Sequence, residues 1–253
     1  MDGKNATNQT LIDNLFKAGV HFGFSKSRRH PSMAEYIFGA KNKVEIFDLE
    51  KVADKLEEAK EFMHNLGNKR QKVLFVGGKN EARVVIKAAA TSIGMPYVAG
   101  RWIGGTLTNY SEIKKRIARL TDLIEKKEKG ELNKFTKLER LHIDREIEDL
   151  DKTFGGLVGL EGLPHALLAV DTKHEEIAVT EARTVNVPVI GILNSDCNTE
   201  VAKHYIPAND GSVASIKYLI QELVAAYEGG LKTAPAPKVE DKDSNKGTIK
   251  KQT

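Results

Sequence analysis

The chain contains 253 residues, 40% of them hydrophobic, and carries a formal net charge of +4 at pH 7. It can therefore form a substantial core, and its mildly basic character is compatible with binding to nucleic acid. The single cysteine, Cys197, excludes an intramolecular disulfide and a metal site built from several cysteines. Because the N-terminus lacks an apolar signal core and no apolar run approaches the roughly 18 residues of a membrane helix, a cytoplasmic protein is expected.

The N-terminal part is predicted to hold two helices separated by a basic segment. Residues 1–9 are polar and are interpreted as a flexible tail, whereas residues 11–18 have a short helical pattern. Residues 23–43 are interpreted as a basic, glycine-containing loop, and residues 44–49 alternate as a strand does. An amphipathic helix is predicted over residues 50–67, with one apolar side formed by Leu56, Ala59, Phe62, Met63 and Leu66.

The following segments alternate between short apolar runs and helical patterns. Strands are expected at 72–78, 97–99, 167–171 and 187–193, and helices at 79–93 and 174–186. This alternation predicts an α/β fold, a parallel sheet sandwiched by helices of the flavodoxin-like or Rossmann-like kind. The α/β domain is expected to comprise residues 10–106 and 155–228.

Residues 107–154 interrupt that alternation. Ile113, Ile117, Leu120 and Ile124 are spaced by four, three and four residues, and a second series with the same spacing ends at Phe154. A Lys-Gly break separates the two series, so an inserted antiparallel helical hairpin, a coiled coil, is predicted. After the last apolar pattern, residues 231–253 have a composition typical of a second flexible tail.

Two segments contain candidate RNA-binding residues. The first is the basic loop, which supplies Lys26, Arg28, Arg29, His30, Lys41, Asn42 and Lys43. Guanidinium groups fit phosphate oxygens, so phosphate contact is the functional interpretation, and a solvated loop is the alternative. Replacing Arg28 and Arg29 with alanine is then expected to weaken RNA binding and leave the fold intact.

The second segment is RWIGGTLTNY, residues 101–110, which holds the only tryptophan. It places no nucleophile beside a base, which favours binding over catalysis. Its candidate RNA contacts, together with those of the helix that follows, are Arg101, Thr106, Thr108, Asn109, Lys114, Lys115 and Arg116. Trp102, Gly104 and Gly105 are expected instead to fix the chain direction at the joint between the sheet and the hairpin.

Three separated stretches carry motifs in a fixed order. They are LFKAGVHFG at 15–23 with YIFGAKN at 36–42, then RWIGGTLTNY at 101–110, then GLPHALLAVD at 162–171 continuing into Glu181. Together they resemble the small ribosomal subunit protein two family, bacterial type, over roughly residues 10–228. The chain departs from the family pattern at Phe24, where a second histidine is usual, and at His30, where many relatives have tryptophan.

The resemblance implies a structural, non-enzymatic constituent of the small ribosomal subunit that acts in translation. Its implied partners are small-subunit rRNA and neighbouring ribosomal proteins, including the large mRNA-binding protein one, whose docking it would support during late assembly. No cofactor, metal ion, small-molecule substrate or membrane is expected. A bacterial origin is favoured over an organellar one, since no transit segment precedes residue 10.

Two other classes of protein stay open from the residues themselves. One is an enzyme that binds a nucleotide or sugar phosphate at the turn Gly77-Gly78-Lys79, with strand-end carboxylates such as Asp171 and Asp196. The other is a free-standing RNA-binding regulator. The glycine series at 155–162 argues little for a nucleotide, because it follows a helix and opens a strand, the reverse of a dinucleotide fingerprint.

Overall fold

The computed structural model describes residues 2–234, with side chains from residue 9 onward. Its first part consists of α1 (Asp2–Lys17), β1 (Phe22–Ser25), β2 (Ile37–Lys41), β3 (Val44–Phe47) and α2 (Leu49–Asn68). The three strands form an antiparallel sheet in the order β1-β3-β2. The segment 23–43 is thus not one loop, as the sequence suggested, because it contributes two strands to this sheet.

A tight turn between β2 and β3 explains that difference. Lys41 pairs with Val44 in the ladder, so Asn42 and Lys43 alone form the turn. Their φ angles are 52° and 68°. Positive φ at both central residues is the signature of a type I′ hairpin turn, which usually contains glycine. Lysine at the second position hid the hairpin from sequence reasoning.

Helix α1 begins earlier than the predicted helix at 11–18, so residues 2–9, interpreted as a tail, are its first turns. Leu15 is fully buried, and Leu11 and Ile12 pack against the main core. These contacts anchor the C-terminal half of α1. The helix extends from there towards the N-terminus because no proline interrupts it. At the other end, the last helix includes residues 231–233, and the rest of the predicted C-terminal tail, 235–253, lies outside the described residues.

The second part of the chain alternates as predicted. It consists of β4 (Val73–Val76), α3 (Asn80–Ser92), β5 (Tyr97–Val98), α4 (Tyr110–Glu128), α5 (Lys137–Phe154), β6 (Ala166–Val170), α6 (Glu176–Thr184), β7 (Val189–Leu193), β8 (His204–Pro207) and α7 (Val213–Thr233). The strands form a parallel sheet in the order β5-β4-β6-β7-β8, flanked by helices, which confirms the α/β class. Sequence reasoning missed β8, a four-residue edge strand that ends in proline.

The buried side chains of the sheet divide between two apolar clusters. Val73 and Phe75 of β4 belong to the cluster with α2, α3 and α7, whereas Leu74 and Val76 belong to the cluster with α6. This alternation is the two-residue period of a strand. The second cluster also holds Trp102, so residues 101–110 are packed directly against the sheet layer.

Helices α4 and α5 are linked by a short 3₁₀ helix at Glu131–Lys134. Salt bridges join Arg119 to Glu146 (3.1 Å) and Lys127 to Asp144 (2.8 Å). A capping box at Thr136 starts α5. The coiled-coil character of this pair and its independence as a domain stay predictions. No helix among residues 2–234 is long and apolar enough to cross a membrane.

Candidate nucleic-acid interface

The carboxyl edge of the parallel sheet is occupied by an internal ion-pair network. Lys79 Nζ lies 2.5 Å from Asp171 Oδ2 and 2.6 Å from Asp210 Oδ2, and Asn194 donates to Asp210 at 2.6 Å. Burial acts to raise the pKa of Asp171, but the Lys79 ammonium, together with hydrogen bonds from the His174 N–H and the Cys197 thiol, leaves that pKa below its ordinary value. In open α/β sheets this edge is where ligands bind. Here the positive charge at that edge is already neutralised by the protein's own carboxylates.

The glycine turn before α3 is likewise bonded to the protein itself. The Gly78 N–H donates to Glu175 Oε1 at 2.7 Å, and the same oxygen lies 2.8 Å from His174 Nδ1. A phosphate at this turn would have to displace a buried carboxylate. Of the other strand-end acids, Asp196 pairs with Arg28 and Lys173.

Two further kinds of chemistry considered from the residues are a metal site and a reactive cysteine, Cys197. Within residues 2–234, no group of three or more histidine, cysteine or acidic side chains could hold a metal ion. Cys197 is 1% exposed, and burial raises the pKa of its thiol to about 12. Because only a thiolate is a good nucleophile, this cysteine is a core residue.

Residues 101–110 wrap around one carboxylate, that of Glu181 on α6. Its Oε1 accepts hydrogen bonds from Trp102 Nε1 (3.2 Å) and the Gly105 N–H (2.7 Å). Its Oε2 accepts from the N–H groups of Leu107 (2.9 Å) and Thr108 (3.3 Å) and from the Thr108 hydroxyl (3.3 Å). Burial alone would raise the pKa of Glu181, but these hydrogen bonds outweigh it and lower the pKa below its ordinary value.

This arrangement divides the predicted residues of the segment into inner and outer groups. Thr106 is 2% exposed and donates its hydroxyl to the Ile103 carbonyl at 2.6 Å, so it does not fit the RNA-contact role predicted for it. The Thr106 hydroxyl closes a turn of the backbone. From composition alone, such a threonine cannot be distinguished from one that is exposed on the surface. Arg101, Thr108 and Asn109 are exposed, although the Thr108 hydroxyl is engaged by Glu181.

The three residues expected to shape the joint, Trp102, Gly104 and Gly105, differ in their environments. Trp102 is 6% exposed and packs in the apolar cluster that also contains Ile113 and Ile117 of α4. Gly105 has a φ of 89°, a conformation that side chains with a Cβ rarely adopt. Gly104 is exposed, and a Cβ added there would meet no atom within 4 Å. Of the two glycines, only Gly105 is required by the backbone geometry.

The two arginines of the basic loop have different environments. Arg29 Nη1 lies 3.1 Å from Glu45 Oε1, and the Glu45 side chain is 1% exposed. Arg28 stacks over the Phe24 ring, 4.1 Å from its centroid, and reaches Asp196 at 3.4 Å with over half of its own side chain exposed. His30 accepts a hydrogen bond from the Ser32 N–H and caps a 3₁₀ helix. Arg29 and His30 are therefore parts of the fold, whereas Arg28 still presents its guanidinium to solvent.

The remaining candidate cations are free to bind phosphate. They are exposed, and none of the described carboxylates lies within ion-pair distance of Lys26, Lys41, Lys43, Arg101, Lys114 or Arg116. Lys115, by contrast, pairs with Glu112 at 2.6 Å. Asn42 is exposed in the β2–β3 turn. The structure therefore leaves two groups of unpaired cations, one at the tip of the small sheet and one at the start of α4.

An exposed aromatic patch is formed by residues of α1, β1 and β2. Phe16, Phe22 and Phe38 are 61%, 46% and 80% exposed. His21 stacks on Phe16 with 4.6 Å between ring centroids, and a cavity of about 350 Å³ is lined by Phe16, His21 and Phe38. Solvent-exposed aromatic clusters of this kind mark protein interaction surfaces.

Sequence reasoning missed the two carboxylates that organise these surfaces. Glu181 belongs to a quoted motif, yet it meets its partners more than 70 positions away in the chain. Glu45 sits in a strand, where a charged residue is usually assigned to the solvent side. In both cases the signal was an acid within an apolar pattern: Glu181 has Ala178, Val179 and Ala182 as buried neighbours on α6.

A family model described as Ribosomal protein S2 matches residues 15–230, which is most of the chain. The matched region contains both groups of unpaired cations, the aromatic patch and the Glu181 cluster.

Proposed function

This chain belongs to the ribosomal protein S2 family, whose members are structural proteins of the small ribosomal subunit, and we propose that it binds small-subunit rRNA through its two groups of unpaired cations. The observation that supports this proposal is that these exposed cations have no carboxylate partner among the described residues, whereas Arg29 and Lys115 do. An exposed lysine or arginine without a carboxylate partner can bind phosphate without first breaking an ion pair.

The first group lies at the tip of the small sheet. Lys41, Asn42 and Lys43 occupy the end of the β2–β3 hairpin, and Lys26 begins the 3₁₀ helix that follows β1. Arg28 contributes a guanidinium held over the Phe24 ring, which could stack on a base or contact a phosphate. The rigid turn would present these groups without the entropy cost of ordering a loop.

The second group lies at the joint and the first turns of α4. Arg101 and Asn109 flank the segment that Glu181 holds, and Lys114 and Arg116 project from the helix that follows. The helical pair α4–α5 would carry this group to a second region of rRNA. Binding at both groups would be mostly contact with the phosphate backbone and with RNA shape, and thus sensitive to salt.

Paired substitutions test this proposal. Lys41→Ala with Lys43→Ala, and separately Lys114→Ala with Arg116→Ala, should weaken binding to small subunits stripped of this protein by a salt wash. Removing one phosphate interaction should also lower the slope of log affinity against log salt concentration by about 0.7–0.9. Lys87→Ala on α3 and Lys115→Ala, which removes a lysine already paired with Glu112, are the matched controls. An equal decrease in affinity in the controls would contradict the assignment.

Deletion of residues 112–151, closed by a short glycine linker, tests the role of the helical pair. The α/β core should stay folded, because all five strands of the parallel sheet lie outside the deletion, although Ile113 and Ile117 are lost from the apolar cluster around Trp102. Assembly into small subunits should be impaired. A product without cooperative unfolding would show that the boundary of the module lies elsewhere.

We further propose that the aromatic patch docks a neighbouring ribosomal protein, the large mRNA-binding protein one, during late assembly in the cytoplasm. Support comes from two exposed phenylalanines, Phe16 and Phe38, that line one cavity with His21, and from the exposed Phe22, whose ring lies 4.0 Å from that of His21. Phe38→Ala should reduce the amount of protein one on purified small subunits without reducing the amount of this chain. Phe38 is the cleanest probe because its side chain is 80% exposed and contributes little to the core.

The rival enzyme hypothesis predicts a protein that stays in the supernatant when ribosomal subunits are sedimented from a lysate. The proposed function predicts nearly stoichiometric retention after moderate salt washing. The occupied carboxyl edge of the sheet, with Lys79 held between Asp171 and Asp210, favours the second outcome.

A further inference from the structure

Glu181 joins two parts of the chain that would otherwise meet only through apolar packing. It is 7% exposed on α6, and it receives five hydrogen bonds from residues 102–108. Three of the five donors are backbone N–H groups. A backbone held at three closely spaced points in this way has little conformational freedom left.

Only a carboxylate satisfies this set of partners. All five groups are donors, so both oxygens of the central side chain must accept. A glutamine of the same shape would place an NH₂ group against the donors at one of the two positions. Hydrogen bonds to an ionised acceptor are also stronger than those between neutral groups.

The positions that Glu181 fixes are next to the proposed RNA contacts. Arg101 precedes Trp102, the first donor, and Asn109 follows Thr108, the last. Asn109 is the N-cap of α4, so the same hydrogen bonds set where Lys114 and Arg116 leave the sheet layer. Glu181 itself is buried and cannot reach a nucleic acid.

We propose that Glu181 is the positioning residue of the rRNA-binding surface at the joint: its buried carboxylate holds residues 102–108 so that Arg101 and the first basic turn of α4 meet the RNA together. This inference rests on the proposed function. One acid on α6 would thus determine how basic residues on other elements are arranged at the RNA-binding surface.

The only tryptophan in the chain reports on the loop directly. In Glu181→Gln, Trp102 loses its carboxylate partner, so its emission should shift to longer wavelength and acrylamide should quench it more strongly. In Val179→Ala, the matched control on the same helix, the carboxylate stays and the emission should not shift, although a 3% exposed side chain is truncated. Unchanged emission in Glu181→Gln would overturn the proposal.

Binding of the full chain to small subunits stripped of this protein by a salt wash gives the second readout. Glu181→Gln should weaken binding about tenfold, equivalent to ~1.4 kcal/mol, and reduce the salt slope by about 0.7–0.9 for each phosphate that the chain no longer reaches. Val179→Ala should lower stability without changing that slope. Adding Arg101→Ala to Glu181→Gln should weaken binding less than it does in the wild-type chain, because coupled contacts are not additive.

The outcomes separate this inference from the proposed function. The positioning role alone would be overturned if Glu181→Gln bound stripped subunits with the affinity of the wild-type chain. It would also be overturned if Glu181→Gln lowered that affinity only as much as Val179→Ala does and left the salt slope unaltered. Failure of the wild-type chain to bind stripped subunits would overturn the proposed function and the positioning role with it.

Discussion

Arg29 offers the sharpest test of how the basic loop is used. Its guanidinium pairs at 3.1 Å with Glu45, a side chain that is 1% exposed, and Glu45 Oε2 has no hydrogen-bond partner among the described residues. Arg29→Ala would therefore leave a buried carboxylate with no cation beside it. Breaking a buried pair in this way costs about 3–5 kcal/mol. Because Arg29 is 28% exposed and water can partly replace it, about 2–3 kcal/mol is expected.

Arg28→Ala is the matched control. Its partner Asp196 lies at 3.4 Å and is also bound by Lys173 at 3.0 Å, and the Arg28 side chain is 56% exposed. Asp196 itself is 5% exposed, but it keeps Lys173 as a partner when Arg28 is removed, so a loss of about 1 kcal/mol is expected. The two adjacent arginines should therefore differ clearly in urea unfolding followed by far-UV circular dichroism. For a chain of this size the destabilisation at Arg29 corresponds to a decrease in Tm of about 4–12 °C.

A second substitution checks the mechanism. Glu45→Gln in the Arg29→Ala background removes the unpaired charge and should recover part of the missing stability. If Arg29→Ala unfolds at the same urea concentration as Arg28→Ala, or if Glu45→Gln restores nothing, the buried-pair argument is wrong. If it holds, replacing both arginines perturbs the fold as well as RNA contact, contrary to the expectation from sequence.

Three further predictions concern packing, reactivity and pH. Gly230→Ala should lower the free energy of unfolding by about 1–3 kcal/mol, because a Cβ there would meet the His64 carbonyl of α2; Gly229→Ala, with only an ordinary contact at 3.6 Å, should be neutral or stabilising by up to ~1 kcal/mol in the same denaturation assay. Cys197, with its thiol pKa raised to about 12, should resist iodoacetamide at pH 8 in the native chain and react in urea, as mass spectrometry would show; rapid native labelling would contradict its burial. The pKa of Glu181 is lowered in the folded chain, so the contribution of its charge to stability is present above the ordinary pKa of 4.5 and is lost as the pH falls through the lower folded-state pKa. The difference in the free energy of unfolding between wild type and Glu181→Gln should therefore shrink from pH 7 to pH 3. A difference that stays constant with pH would contradict this.

The sequence was most informative where a local pattern and a long-range contact agree. The apolar runs that became β4, β6 and β7 are buried on both faces, so their composition alone identifies them as parallel strands. Helix α2 likewise buries Leu56, Ala59, Met63 and Leu66, four of the five residues placed on its inner side, with Phe62 half-buried. The three motifs indicated the family because the order of residues along the chain can be compared without knowing the fold.

Sequence reasoning was weakest where a single residue had to be assigned to the inside or the outside. Thr106 and Thr108 are two positions apart in one polar segment, yet the first is buried and the second exposed. Arg28 and Arg29 are adjacent, yet only one pairs with a buried acid of the small sheet, Glu45. No local pattern distinguishes such neighbours, because the groups that decide their environments, Glu181 and Glu45, come from other elements.

The sequence by itself therefore determined the α/β class, the family and the inventory of positive charge. The tertiary structure alone decided which cations are free for phosphate and which are held by carboxylates. The physical reason is that hydrophobic periodicity is a local property of the chain, whereas an ion pair depends on which distant acid the fold brings within about 4 Å of a given base. A hydrogen-bonded carboxylate depends on the fold in the same way: at residues 101–110 the distant acid is Glu181, which accepts hydrogen bonds from the segment and holds it as a fixed surface.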